Sequence, residues 1–209
     1  MKTLHILSFF LILGLSSIAS AQTDQLSSYI KTCPLITDTQ RSQALQALER
    51  DSASLKERQS YTIETSKLSS FSIKLLPLLN GTPLVLVIET VDKPIKDSSL
   101  HSYSPNWQKL SKLKLFDQEP TRSLILERWG ATGEYIDQRL EQLLYPLYLE
   151  MSWVEGEKDL LSIRPVLPLT LSDREHEMLM STAERRPQLL YRWNGSLLVL
   201  QPAVGEQKD

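Results

Sequence analysis

The sequence predicts an α+β fold: one domain with a predominantly antiparallel sheet of about eight strands in hairpins and three or four helices. Three observations point to it. Hydrophobic periodicity is helical before position 51 and changes to two-residue alternation after position 59. Asn80-Gly81 and Asn194-Gly195 each sit between apolar runs, a hairpin signal because a type I′ turn needs positive φ at both central residues. No strand-helix-strand crossover recurs, and no glycine-rich linker divides the chain.

The chain opens with Met1-Lys2, a basic start, followed by an almost unbroken apolar run from Leu4 to Leu15 and the small residues Ala19-Ser20-Ala21. These are the three parts of a secretory signal peptide, predicted to span 1–21 with cleavage before Gln22. The apolar run is shorter than the roughly 20 residues a membrane span needs, and no stop-transfer charges follow, so no transmembrane anchor is expected after cleavage. The residue directly after the cleavage site is Gln22, not the cysteine a lipid anchor needs. The expected location is periplasmic or secreted, with residues 22–209 forming a single α+β domain.

Within 22–209, Asp24 to Lys31 is a short helix with Leu26 and Ile30 four apart, ended near Pro34 because the residue before proline avoids the α region. Thr37 and Gln40 have capping-box spacing and open a second helix that buries Ala44, Leu45 and Leu48. Asp51 to Gln59 is a polar connection. Tyr61 to Thr65 is a strand. Ser70 to Leu75 alternates apolar with polar residues, the mark of a half-buried strand. Leu84 to Ile88 is apolar throughout, as in a central strand covered on both faces, and Ser98 to Tyr103 adds another. Pro77 and Pro94 mark strand ends. Thr132 caps a helix over Glu134 to Leu144, ended by Pro146. Leu147, Leu149, Met151 and Trp153 alternate with polar residues, and Gly156 turns the chain back through Leu161 and Ile163. Ser172 and Glu175 open a last helix. Leu189, Tyr191 and Trp193 form a strand, Ser196 to Leu200 the final one, and Glu206 to Asp209 a frayed tail.

Composition excludes several functions. Loss of Lys2 changes 23 basic against 25 acidic residues into 22 against 25, a formal charge of −3. That balance lacks the basic surplus which neutralises phosphates, so no nucleic-acid partner is expected. Cys33 is the sole cysteine, so no intramolecular disulfide exists; a buried apolar thiol is the expectation, a reactive one the alternative.

No catalytic, cofactor-binding or metal residue is assigned, and no cofactor is expected. His101 and His176 remain once the signal carrying His5 is lost, and no Gly-x-Ser-x-Gly elbow accompanies them. Glu175-His176-Glu177 lacks a second histidine four residues on, since position 180 is Met180. Gly130 and Gly133 make no dinucleotide fingerprint, and no phosphate-cradling Gly-Lys-Ser/Thr loop is present. Lys109, Lys112 and Lys114 alternate with leucines and read as a solvated face with leucines inward, or as a strip for anionic lipid or glycan. Trp153 and Trp193 fall on apolar faces, whereas Trp107 and Trp129 lie in loop-like segments and are the candidates for exposed recognition. Asn80-Gly81-Thr82 and Asn194-Gly195-Ser196 match the glycosylation sequon, but hairpin turns account for both.

The run Leu68-Ser69-Ser70-Phe71-Ser72-Ile73-Lys74-Leu75-Leu76-Pro77, Asn106-Trp107 followed by Leu115-Phe116, and Trp193-Asn194-Gly195 resemble an uncharacterised secreted family of Bacteroidetes-type bacteria, a domain of unknown function. The resemblance covers nearly the whole mature chain and implies an envelope or secreted location with no known activity. In such bacteria Asp51-Ser52-Ala53 resembles an acceptor motif for O-glycosylation of exported proteins. Two functions follow as expectations. The first is a non-enzymatic exported envelope protein that binds a ligand or protein partner, in one version a lipid or lipoprotein carrier with an open apolar sheet. The second is a periplasmic hydrolase using a carboxylate pair, with His101 or His176 as base.

Overall fold

The computed structural model describes residues 25–50, 60–129, 138, 141–167 and 188–202. Helix α1 covers residues 25–32 and buries Leu26 and Ile30 on one face. Its last turn is closed by Thr32 Oγ1, which donates to the carbonyls of Ser28 and Tyr29. Helix α2, Asp38–Arg50, starts on a reciprocal cap. The Thr37 N–H donates to Gln40 Oε1 at 2.8 Å, and the Gln40 N–H donates to Thr37 Oγ1 at 3.3 Å, satisfying two of the donors a helix start leaves open. Arg41 then ties the helices together, donating from Nη2 to the carbonyls of Cys33 and Ile36.

Strands β1 (Ser60–Ser66), β2 (Ser69–Pro77), β3 (Pro83–Val91) and β4 (Asp97–Tyr103) form one antiparallel sheet in sequence order. Helix α3, Arg122–Trp129, and the end of a further helix at 141–143 precede the second sheet. That sheet is also antiparallel and in sequence order: β5 (Tyr148–Trp153), β6 (Leu160–Val166), β7 (Leu189–Trp193) and β8 (Leu198–Leu200).

Period-two patterning decides how these layers stack. On β2 and β3, Ile73, Val85 and Val87 share a core with Ile30, Cys33 and Leu48 of the α1–α2 segment. Leu76, Leu84, Leu86 and Ile88 share the other core with Leu161, Ile163, Tyr191 and Trp193 of the second sheet and with Ile125 of α3. The first sheet is therefore covered on both faces, which is why Leu84 to Ile88 is apolar without a break. Cys33 is fully buried, and burial pushes its thiol pKa up.

Side-chain ties join the sheets. Along the neighbouring edges, the Leu149 N–H donates to Asp97 Oδ1 at 3.1 Å and the Met151 N–H to Ser98 Oγ at 3.2 Å. Trp193 Nε1 donates to the Pro77 carbonyl at 2.8 Å. The far edge strand, β8, is covered by residues 115–117: the Leu198 N–H donates to the Leu115 carbonyl, and the Asp117 N–H to the Leu198 carbonyl.

Four expectations need correction. Lys74 does not face solvent as simple alternation suggests; it is buried, because the inner face of β2 is roofed by the second sheet. Asn80-Gly81 is not a two-residue type I′ turn. The Gly81 N–H donates to the Leu78 carbonyl and the Leu78 N–H to the Thr82 carbonyl, and only Gly81 has positive φ, at 79°. This is a three-residue loop with glycine at the bulge position. Trp129 ends α3 rather than lying in a loop, and the final strand begins at Leu198 rather than Ser196.

The predicted signal segment 1–21, the Asp51 to Gln59 connection with Asp51-Ser52-Ala53, the Thr132 cap and most of the Glu134 to Leu144 helix lie outside the described residues. So do the Ser172–Glu175 cap, His176 and the Glu206 to Asp209 tail. No described helix is long and apolar enough to cross a membrane.

Candidate binding site

The outward face of the second sheet carries a polar concavity of about 260 Å³, lined by Glu150, Ser152, Trp153, Val154, Glu155, Ser162, Arg164 and Gln188. Its floor is two paired strands. The β5–β6 register sets Ser152 against Ser162 and Glu150 against Arg164. Because side chains on a strand alternate between faces, these four share the outer face while Leu149, Leu161 and Ile163 point into the core. Gln188, just before β7, reaches over the floor and donates from Nε2 to Ser162 Oγ at 2.8 Å. Glu150 Oε1 accepts from Lys96 Nζ at 3.0 Å. That contact, its charge attraction, and the nearby Asp92 raise the Lys96 pKa above its usual value.

Behind the Trp153 wall lies a buried charge cluster. Lys74 Nζ stands 3.3 Å from Asp159 Oδ1 and 4.7 Å from the centre of the Trp153 ring. The Lys–Asp contact is an attraction between charges, since no donor is aligned for a hydrogen bond on Asp159 Oδ1. Trp153 Nε1 is likewise buried without a hydrogen-bond partner. Desolvation lowers the Lys74 pKa and the Asp159 charge partly restores it. With Lys74 about 1% exposed, this cluster lies sealed in the seam between the sheets and offers no ligand an approach.

The structure also places the residues singled out in the sequence. His101 Nε2 lies 3.1 Å from Ser99 Oγ and 3.4 Å from Glu89 Oε2. Both partners meet the same ring nitrogen, whereas a nucleophile relay needs the hydroxyl on one nitrogen and the acid on the other. Trp107 is a clasp rather than an exposed platform: its Nε1 donates to Thr32 Oγ1 at 3.2 Å and its ring packs on Tyr103. Trp193 is buried. Lys109, Lys112 and Lys114 are exposed; Leu115 is buried, Leu110 partly so, and Leu113 faces solvent. Among the described residues no group of three or more His, Cys, Asp or Glu side chains could hold a metal ion. Sequence reasoning missed Glu150, Arg164 and Gln188 as a group, because their meeting depends on the register of β5 against β6 and on a chain return of 22 residues from Val166 to Gln188.

A family model described as a protein of unknown function (DUF3256) matches residues 25–197. No curated protein matches the chain. The fold is similar to a solved structure titled as a domain of an uncharacterized protein from Porphyromonas gingivalis W83, with TM-score 0.59 and 23% sequence identity over 85% of this chain and 98% of that one. At that identity the likeness speaks for the fold alone.

Proposed function

The chain belongs to the DUF3256 family of proteins of unknown function, the uncharacterised Bacteroidetes-type family its motifs resemble, and from that premise we propose that it is a non-enzymatic exported envelope protein that binds a ligand or protein partner. The observation that carries the reading is the concavity on the second sheet, where hydrogen-bonding and charged side chains stand on two paired strands and face outward. Strand-mounted groups are held in place before a ligand arrives, which lowers the entropic cost of binding. Export rests on the basic start, apolar run and Ala19-Ser20-Ala21 site, and it places the mature protein in the periplasm or outside the cell. The lipid-carrier version finds no support, because the apolar faces of the two sheets pack against each other.

Native mass spectrometry of the mature protein purified from its own envelope tests this reading. A co-purifying ligand or partner, lost on substitution of Ser152 and Gln188, is the expected result. A bare chain whose first residue is not Gln22 would count against both binding and export.

A hydrolase using a carboxylate pair is the second reading, favoured by the placement of Glu150 and Glu155 on one concavity. It predicts turnover of a peptide or glycoside substrate that Glu155→Gln abolishes. Turnover unchanged by both Glu150→Gln and Glu155→Gln would remove it.

A further inference from the structure

We infer that the end of the molecule formed by loops 78–82, 104–114 and 194–197 docks on the surface of an anionic phospholipid bilayer. This surface shares no residue with the concavity and stands whether or not that site holds a ligand. Register brings the loops together. Leu76 pairs with Leu84 and Val85 with Tyr103, so the β2–β3 turn and the segment leaving β4 emerge at one end of the first sheet. The β7–β8 turn joins them there, its Gly195 carbonyl accepting from the Leu79 N–H at 3.1 Å. Lys109, Lys112 and Lys114 are exposed, and the three loops contain no acidic residue, in a chain with 25 acidic against 23 basic residues. Lys109 and Lys112 have no ion partner among the described residues, and Lys114 Nζ reaches the Asp117 carbonyl at 3.4 Å, not a carboxylate. The adjoining 154–159 turn is acidic, but Asp159 is paired with Lys74 and Glu157 with Arg192, and Glu155 is also engaged.

Two leucines stand out among these charges. Leu79 is 83% exposed at the tip of its turn, and Leu113 is 41% exposed between Lys112 and Lys114. At an anionic bilayer such a leucine enters the acyl boundary while the flanking lysines meet the phosphates. An acidic glycan would use the lysines and leave the leucines in water, so a bilayer fits both features. The lysine loop is also held ready. The Leu113 N–H donates to the Leu110 carbonyl at 3.0 Å, and the Leu110 N–H to the Ser102 carbonyl at 2.8 Å. Beyond the tip, the Leu115 carbonyl accepts from the Leu198 N–H at 2.7 Å. The tip is thus braced against β4 on one side and β8 on the other, and little order has to be imposed on docking.

The test is co-sedimentation of the mature protein with vesicles of phosphatidylcholine, alone or mixed with phosphatidylglycerol. Binding to the mixed vesicles only, weakened by added salt, is expected. Lys109→Gln, Lys112→Gln and Lys114→Gln should each cost about fivefold in affinity. Leu113→Ser should weaken binding about tenfold with the charge intact. Leu113→Trp should add an emission that shifts to the blue on mixed vesicles, because the ring enters an apolar layer. All four positions are exposed, and thermal unfolding midpoints equal to the parent's show that the variants fold. No binding to mixed vesicles, equal binding to phosphatidylcholine alone, or unchanged affinity in the lysine variants would each overturn the inference. So would loss in the lysine variants with none in Leu113→Ser, the pattern an acidic glycan would give.

Discussion

Lys74 Nζ faces Asp159 Oδ1 at 3.3 Å across the seam between the sheets, pairing a fully buried ammonium on β2 with a carboxylate in the β5–β6 hairpin. Among the described residues neither charge has another ion partner, so removing one strands the other in a low-dielectric interior. Asp159 has positive φ, at 55°, a conformation asparagine tolerates, so Asp159→Asn changes the charge with little backbone disturbance. We expect it to destabilise the protein by about 3–5 kcal/mol in urea unfolding, and the double variant Lys74→Met with Asp159→Asn to recover most of that loss. A double variant as unstable as the single one would show that packing, not the pair, holds the seam.

Alkaline stability should rise and then fall. The Lys74 pKa is lowered from 10.5 by desolvation, so in the window just below 10.5 the unfolded chain keeps a proton the folded chain has released. Stability therefore increases with pH through that window. Tyr191 behaves oppositely: burial, then Asp117 and Glu119, raise its pKa well above 10.0. Its contribution is complete below pH 10 and is lost above it, as the unfolded phenol ionises and the folded one does not. Unfolding midpoints across pH 8 to 12 should show the rise vanish in Lys74→Met and the fall soften in Tyr191→Phe. Tyr29 and Tyr103, also raised by burial, keep part of that fall.

Tyr191→Phe has a second readout at neutral pH. The hydroxyl donates to the Gln118 carbonyl at 3.0 Å, linking β7 to the segment that leads into α3. Its loss is expected to lower stability by about 0.5–1.5 kcal/mol while leaving the ring in its edge contact with Phe116. Chemical denaturation checks the size, and near-ultraviolet circular dichroism checks that the ring stays packed.

Gly195 separates backbone strain from steric clash. Its φ is 97°, and an added Cβ would lie 2.8 Å from Leu79 Cδ2. Leu79 is exposed and its tip can swing aside, so the backbone dominates the effect. Gly195→Ala should destabilise by about 1–2 kcal/mol, and adding Leu79→Ala should not restore the loss. Recovery in the double variant would make the clash the cause.

Cys33 should resist thiol reagents in the native state, being fully buried with its pKa raised by that burial. Full labelling in denaturant with almost none under native conditions is the expected pattern. Rapid native labelling would mean that the α1–α2 layer opens readily.

Much of this architecture was legible because it depends on local chemistry. The Thr37–Gln40 cap, the apolar β3 run and the strands ending at Tyr103 and Trp193 are set by neighbours within a few residues. The burial of Lys74 was not legible. Alternation tells which residues share a face of β2, not that both faces are covered, and Asp159 lies 85 positions away. Trp107 misled for a related reason: its segment is irregular, yet Thr32, far back in the sequence, receives its indole N–H. The concavity was hidden because Glu150 and Arg164 look like ordinary solvated charges until the pairing of β5 with β6 sets them side by side.

The order of strands in both sheets follows the order of residues in the chain. No strand of the first sheet waits for a partner made later, so β1 to β4 can pair while the second half is still arriving from the ribosome or a translocation channel. What the first half lacks at that stage is the cover over its inner face, including Lys74. Docking of the second sheet is thus the step that turns a sequentially assembled half into a finished molecule, and a late block in synthesis would leave that apolar face open to aggregation.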